Sequence, residues 1–160
     1  MKNDWVLIIA EDEEAEAEDR QLLVEVGWPE HGIRSARGGD ALAFINSSLL
    51  TEKLRDRPGL IIFDLDHHND EGRERLRQLM MALKHSDTFK TLPLVMLLRP
   101  DFALEDVEAW YSEGVNAVVL RPNYSGEDAR KLFRSLSLFW KDMVVLPDTS
   151  WDHRTPPASH

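Results

Sequence analysis

Cysteine is absent from the 160 residues. Its absence removes disulfides, thiolate zinc sites and cysteine nucleophiles together, and is compatible with a cytoplasmic protein. Long apolar runs are missing as well. Nothing approaches the roughly 20 residues that span a bilayer, so no membrane association is expected. Met1-Lys2-Asn3-Asp4 leads straight into a strand-like run and lacks the layout of a signal peptide. Positive charge is scarce: 19 Lys and Arg stand against 29 Asp and Glu, for a formal net charge of -10. That balance argues against non-specific nucleic-acid binding, which needs a basic footprint. Arg73, Arg75 and Arg77 form a modest cluster. Spaced two apart on a helix they cannot share one face, and they read as solvated surface.

What is present is a globular composition, 42% hydrophobic and 30% charged, in a chain long enough to bury one core. Short continuous apolar runs at Val6–Ile9, Leu60–Phe63, Leu94–Leu98 and Ala117–Leu120 have the pattern of strands buried on both faces. A weaker candidate is Ile33–Ala36. Helix-length pieces lie between them. Ala15, Leu22, Leu23 and Val26 make one stripe, stopped by Gly27. Asp40 can cap a second helix carrying Ala41, Leu42, Phe44 and Ile45. A third carries Leu76, Leu79, Met80 and Leu83. The fourth runs from about Leu104 to Glu113 and ends at Gly114. The fifth carries Leu132, Phe133, Leu136 and Phe139.

Strand and helix therefore alternate five times, which predicts an α/β fold: a five-stranded parallel sheet flanked by helices on both faces. Residues 1–146 are expected to form one domain, with the polar, proline-rich 147–160 a flexible C-terminal tail holding one sticky residue, Trp151.

In such an open sheet the functional crevice lies outside the carboxyl ends of the strands, at the topological switch point. Glu11, Asp12, Asp64, Leu98, Arg99 and Arg121 stand at those ends. Phosphoryl transfer to an aspartate needs an accessible carboxylate, a cation to bridge phosphoryl oxygens, and further positive or donor groups. Glu11, Asp12 and Asp64 supply acids enough for Mg2+, which keeps most of its waters. The Asp66 carbonyl is placed to be a further ligand, and Arg121 is a cation at the end of the last strand. Plainer readings stand beside these. Glu11-Asp12-Glu13-Glu14, continued by Glu16, Glu18 and Asp19, also suits a helix N-terminus and a solvated face. Asp64 alone would be a turn residue, and Arg121 a structural salt-bridge partner of the acids. His67-His68 invites a transition-metal site, but adjacent histidines on a loop seldom aim at one ion.

Over about residues 5 to 141 the chain resembles the receiver domain of two-component response regulators. The resemblance is carried, in order, by Val6-Leu7-Ile8-Ile9-Ala10-Glu11-Asp12, Pro58-Gly59-Leu60-Ile61-Ile62-Phe63-Asp64-Leu65 and Gly72. Leu92-Pro93-Leu94-Val95-Met96-Leu97 and Gly114-Val115-Asn116-Ala117-Val118-Val119-Leu120-Arg121-Pro122 complete it. The ending Leu136-Ser137-Leu138-Phe139-Trp140, with Leu146-Pro147 beyond, resembles the single-domain regulators that accompany bacterial phytochrome kinases. The resemblance implies the flavodoxin-like receiver fold, Asp64 as phosphoacceptor, and Glu11, Asp12, Asp64 and Asp66 as Mg ligands. It also implies Arg121 as the charge partner in the lysine position, a sensor histidine kinase as partner, and action by contact rather than catalysis. The surface implied is the fourth helix, fifth strand and fifth helix, where Phe89, Phe102, Trp110 and Tyr111 are either core or contact. Phe133, Phe139 and Trp140 read as core or as a homodimer contact.

The departures from the family pattern are specific. Its phosphate-gripping Thr or Ser is Leu98, its lysine is Arg121, its aromatic switch residue is Val118, and the loop proline is His68. Losing a hydroxyl contact to a phosphoryl charge costs ~1.5–3 kcal/mol, against the ~5.5 kcal/mol that turns a two-state switch from mostly off to mostly on. Arg121, with Arg99, is then expected to pair with Asp64 and hold one conformation. Two functions follow: a phosphate-accepting single-domain regulator, or a phosphorylation-independent pseudo-receiver. Asp64-Leu65-Asp66 also resembles the first motif of haloacid-dehalogenase phosphatases, but the later lysine and acidic pair of that family are not evident.

Overall fold

The structure is a computed structural model, and it describes residues 5–44, 47, 59–65, 70–85, 92–98, 104–121 and 126–139. Five strands, β1 (Val6–Ala10), β2 (Ile33–Arg37), β3 (Leu60–Asp64), β4 (Leu94–Leu98) and β5 (Ala117–Leu120), form one sheet. Its order is β2-β1-β3-β4-β5, and every pairing is parallel. The helices are α1 (Glu13–Glu25), α2 (Asp70–Lys84), α3 (Leu104–Glu113) and α4 (Glu127–Ser137). Of the segment expected to form a further helix after Asp40, residues 41–44 and 47 are described and are helical. The Phe44 N–H donates to the Asp40 carbonyl at 2.9 Å.

The apolar runs become strands covered on both sides. Along β1 and β3, Leu7, Ile9, Ile61 and Phe63 enter one core with Leu76, Leu79, Met80 and Leu83 of α2 and Trp110 of α3. Val6, Ile8, Leu60 and Ile62 enter the other with Leu22 and Leu23 of α1 and Phe133 and Leu136 of α4. The alternation follows from the two-residue period of a strand. Each large side chain so buried contributes ~1.5–3 kcal/mol relative to exposure. Trp28, just after α1, donates its indole N–H to Ser137 Oγ at 2.7 Å and ties α1 to the end of α4. Gly27 and Gly114, at φ 107° and 110°, end α1 and α3 in the left-handed region that glycine enters without a steric penalty.

Two expectations are corrected. β5 is half-exposed rather than buried on both faces, because it is the edge strand with a neighbour on one side only. Phe139, just past α4, is 51% exposed, so of its two expected readings, core or homodimer contact, the core one is not met. The expected features at Phe89, Arg99, Phe102, Pro122, Trp140 and the tail 147–160 lie outside the described residues.

The strand order reverses direction between β1 and β3, so their carboxyl ends lie side by side at the switch point. Ala10 is in register with Asp64, and the Glu11 N–H donates to the Asp64 carbonyl at 3.1 Å.

Candidate functional site

Four of the five strands deliver a residue to this edge: Glu11 and Asp12 after β1, Asp64 from β3, Leu98 from β4 and Arg121 after β5. Arg121 is held there by its own backbone, its N–H donating to the Leu98 carbonyl at 2.6 Å. Its side chain is completely buried, beside Asp64 at 3% exposure and Asp19 at 1%. The guanidinium Nη2 donates to Glu18 Oε1 at 2.7 Å and to Asp19 Oδ1 at 2.9 Å. Nε lies 3.5 Å from Asp64 Oδ2. One guanidinium thus meets three carboxyl groups, two of them from α1.

Asp19 was expected on the solvated face of the first helix, and the structure puts it inside. It occupies the i+4 slot after Ala15 and precedes Leu22, Leu23 and Val26, so it falls on the stripe that faces the sheet. An acid on that apolar stripe was the available signal. Burial, followed by its hydrogen bond and charge repulsion with Asp64, pushes the Asp19 carboxyl up to about 9, although Arg121 opposes the rise. The shift favours the neutral, protonated form of Asp19. Burial also works against the charge on Arg121, but Asp19, Glu18 and Asp64 outweigh it and push the guanidinium pKa above its ordinary value.

The outer acids are engaged otherwise. Asp12 is the N-cap of α1, its Oδ1 accepting the Ala15 N–H at 2.9 Å. Glu11 Oε1 accepts from Arg75 Nη1 at 2.8 Å, and Arg75 Nη2 lies 3.7 Å from Glu71 of its own helix. Gly38 makes room for this arm: a Cβ there would stand 2.8 Å from Arg75 Nη1. The three arginines expected as plain solvated surface each take ion-pair partners, Arg73 with Asp106 and Arg77 with Glu74 and Glu113.

Oxygen donors of this kind suit a hard divalent cation such as Mg2+. Their present conformation does not. Glu11 is turned to Arg75, Asp12 to its helix and Asp64 to the buried cluster, and the described residues contain no group of three acids or histidines able to hold a metal ion. Asp66, His67 and His68 lie outside the described residues. Leu98, at the family's hydroxyl position, is buried. Val118, at its aromatic position, is half-buried against the core, and its N–H donates to the Tyr111 hydroxyl at 3.1 Å.

No family model matches the chain. Response regulator Rcp1 of Synechocystis sp. (strain ATCC 27184 / PCC 6803 / Kazusa) is 28% identical over 143 residues, covering 89% of this chain and 92% of Rcp1. The solved Mn2+-bound form of Rcp1 superposes with a TM-score of 0.63 at 25% identity, over 90% of this chain and 99% of that one. The phosphorylated cyanobacterial phytochrome response regulator RcpA gives 0.64 at 21% identity, again over 90% and 99%. A response regulator in red light signaling of R. palustris gives 0.68 at 18% identity, over 91% and 99%. The chain is thus similar in sequence to the response regulator Rcp1 and shares the five-stranded parallel fold of solved response regulators, two of them from phytochrome and red light signalling.

Proposed function

We propose that this chain is a cytoplasmic single-domain response regulator of two-component signalling, with residues 1–146 as its receiver, served by a sensor histidine kinase of the phytochrome type. It accepts a phosphoryl group on Asp64 and acts by protein–protein contact rather than by turnover. The observation that carries this reading is the position of Asp64: a carboxylate at the end of β3, in register with Ala10 and next to Glu11 at the switch point of the sheet. In the transfer, an Asp64 carboxylate oxygen forms a bond to phosphorus while the bond from phosphorus to the kinase histidine breaks. The electron pair of that bond leaves on the imidazole nitrogen. Mg2+, when bound, would neutralise phosphoryl charge; Glu11, Asp12, Asp64 and the Asp66 carbonyl are the residues proposed to hold it, once Arg75 has released Glu11. Contact with the kinase is assigned to α3, β5 and α4, where Tyr111, Leu120 and Leu138 are exposed. A second copy of the chain is the alternative occupant of that face.

Incubation of the protein with acetyl phosphate and Mg2+, followed by intact mass measurement, tests the acceptor. The expected result is a gain of one phosphoryl group that D64N does not show. An intact protein that gains nothing while a conventional receiver in the same tube is labelled would remove the acceptor role.

A second reading has its own observation. Arg121 is fully buried on Glu18 and Asp19, and Leu98 offers no hydroxyl, so the usual grip on a phosphoryl group is missing. A phosphorylation-independent interaction module has no need of that grip. It predicts that D64N binds the kinase as tightly as the intact protein does.

A further inference from the structure

We propose that Asp19 is a positioning residue that withholds Arg121 from the phosphoryl group, so that α1 carries a built-in brake on phosphorylation of Asp64. The inference rests on the acceptor reading above. Arg121 stands at the strand end from which a cation would reach a phosphoryl group on Asp64. Its Nη2 is nevertheless committed to α1, at 2.7 Å from Glu18 and 2.9 Å from Asp19. Toward the Asp64 carboxyl, Nε stands at 3.5 Å, which is long for a hydrogen bond. Asp19 and Arg121 are both buried, so water cannot take over either role when they part. Asp19 therefore competes directly with an incoming phosphoryl oxygen for the same N–H groups. Glu18 is about one-third exposed and can be replaced by solvent, which leaves Asp19 as the stronger hold.

The substitutions separate holding from mere packing. D19N keeps an acceptor oxygen for Nη2 and should leave the brake in place. D19A removes that oxygen and frees the guanidinium to turn toward Asp64. Labelling of Asp64 by acetyl phosphate with Mg2+ is followed by intact mass in the wild type, D19N and D19A. Exchange of the Arg121 Nε–H is followed by NMR in the same proteins, and melting by circular dichroism confirms that each is folded. The expected result is labelling about tenfold faster in D19A, the rate equivalent of one hydrogen bond to a charged group. D19N should stay near wild type, and Nε–H exchange should quicken in D19A alone. If D19A does not fold, D19S replaces it in the same comparison. Equal labelling of wild type and the truncated variant overturns the brake and leaves the acceptor reading standing, and slower labelling in that variant does the same. Labelling of none of the proteins removes the acceptor reading, and the brake falls with it.

Discussion

Glu11 and Asp12 on the outer rim and Asp19 and Asp64 inside it share a chemistry and little else. The outer acids keep contact with water: the Glu11 side chain is 34% exposed, and its arginine partner 27%. The inner acids are buried around a guanidinium with no exposure at all. Exposed ion pairs contribute ~0.2–1 kcal/mol and are easily exchanged for water. A buried cluster gains little net energy from being formed, because desolvation offsets the attraction, yet it is costly to break. The outer pair is thus built to move and the inner group to stay. On the proposed function, the obstacle to phosphorylation would lie at α1 and Arg121 rather than at the acids expected to meet a metal.

The largest effect should come from removing the inner cation. R121A leaves Asp19 and Asp64 buried without their partner and is expected to cost ~3–5 kcal/mol, read as a lowered urea midpoint. An effect no larger than that of a surface pair would mean that the inner cluster is wet, and the contrast with the rim would disappear. The next effect concerns pH. Asp19 is raised from 3.8 to about 9 in the folded protein, so the unfolded chain releases a proton that the folded one retains. Folding then takes up a proton, and stability must fall as pH rises between those two values. The contribution is complete below the unfolded value and lost above the folded one. Urea midpoints measured at about pH 5 and about pH 8 should drop in the wild type, whereas D19N should lack that part of the slope. Parallel slopes in the two proteins would show that Asp19 is ionised in the native state.

Much of this was legible in advance, and the division follows the same line. Leu94–Leu98 and Ala117–Leu120 were readable as strands to the residue, and Leu104–Glu113 as a helix, because apolar runs and stop signals lie among sequence neighbours. The strand-end position of Asp64 followed from that alternation. The partner of Arg121 did not. Asp19 is 102 residues away in sequence, and no local period links the two. The acidic string around Asp19 pointed to a solvated face, although its place between Ala15 and Leu22 on the apolar stripe pointed inward. Arg75 escaped for a similar reason: its spacing describes the α2 surface and is silent on Glu11, which lies 64 residues earlier.

A smaller effect belongs to Asp12, whose side chain caps α1 through the Ala15 N–H. D12A should cost ~1 kcal/mol as a lost N-cap, measured by thermal or urea melting. It should fray the helix start without disturbing the Arg121 cluster about two turns further on. A loss as large as that of R121A would mean that rim and pocket fold as one unit.

The smallest effect on stability, and the sharpest test of the rim, is expected from R75Q. Its ion pair with Glu11 is partly exposed, so the variant should lose no more than ~1 kcal/mol. Its consequence for cation binding should be larger. Glu11 no longer has a guanidinium to leave before turning toward Asp12 and Asp64, and a competing positive charge has gone from the rim. Titration with Mg2+, followed through tryptophan fluorescence, should show tighter binding in R75Q than in the wild type by up to about fivefold, the equivalent of the pair that no longer has to be broken. Unchanged affinity would mean that Glu11 is not a ligand. Because the inner cluster is untouched by this substitution, R75Q should bind the cation better without accepting phosphate much faster, whereas D19A should do the reverse.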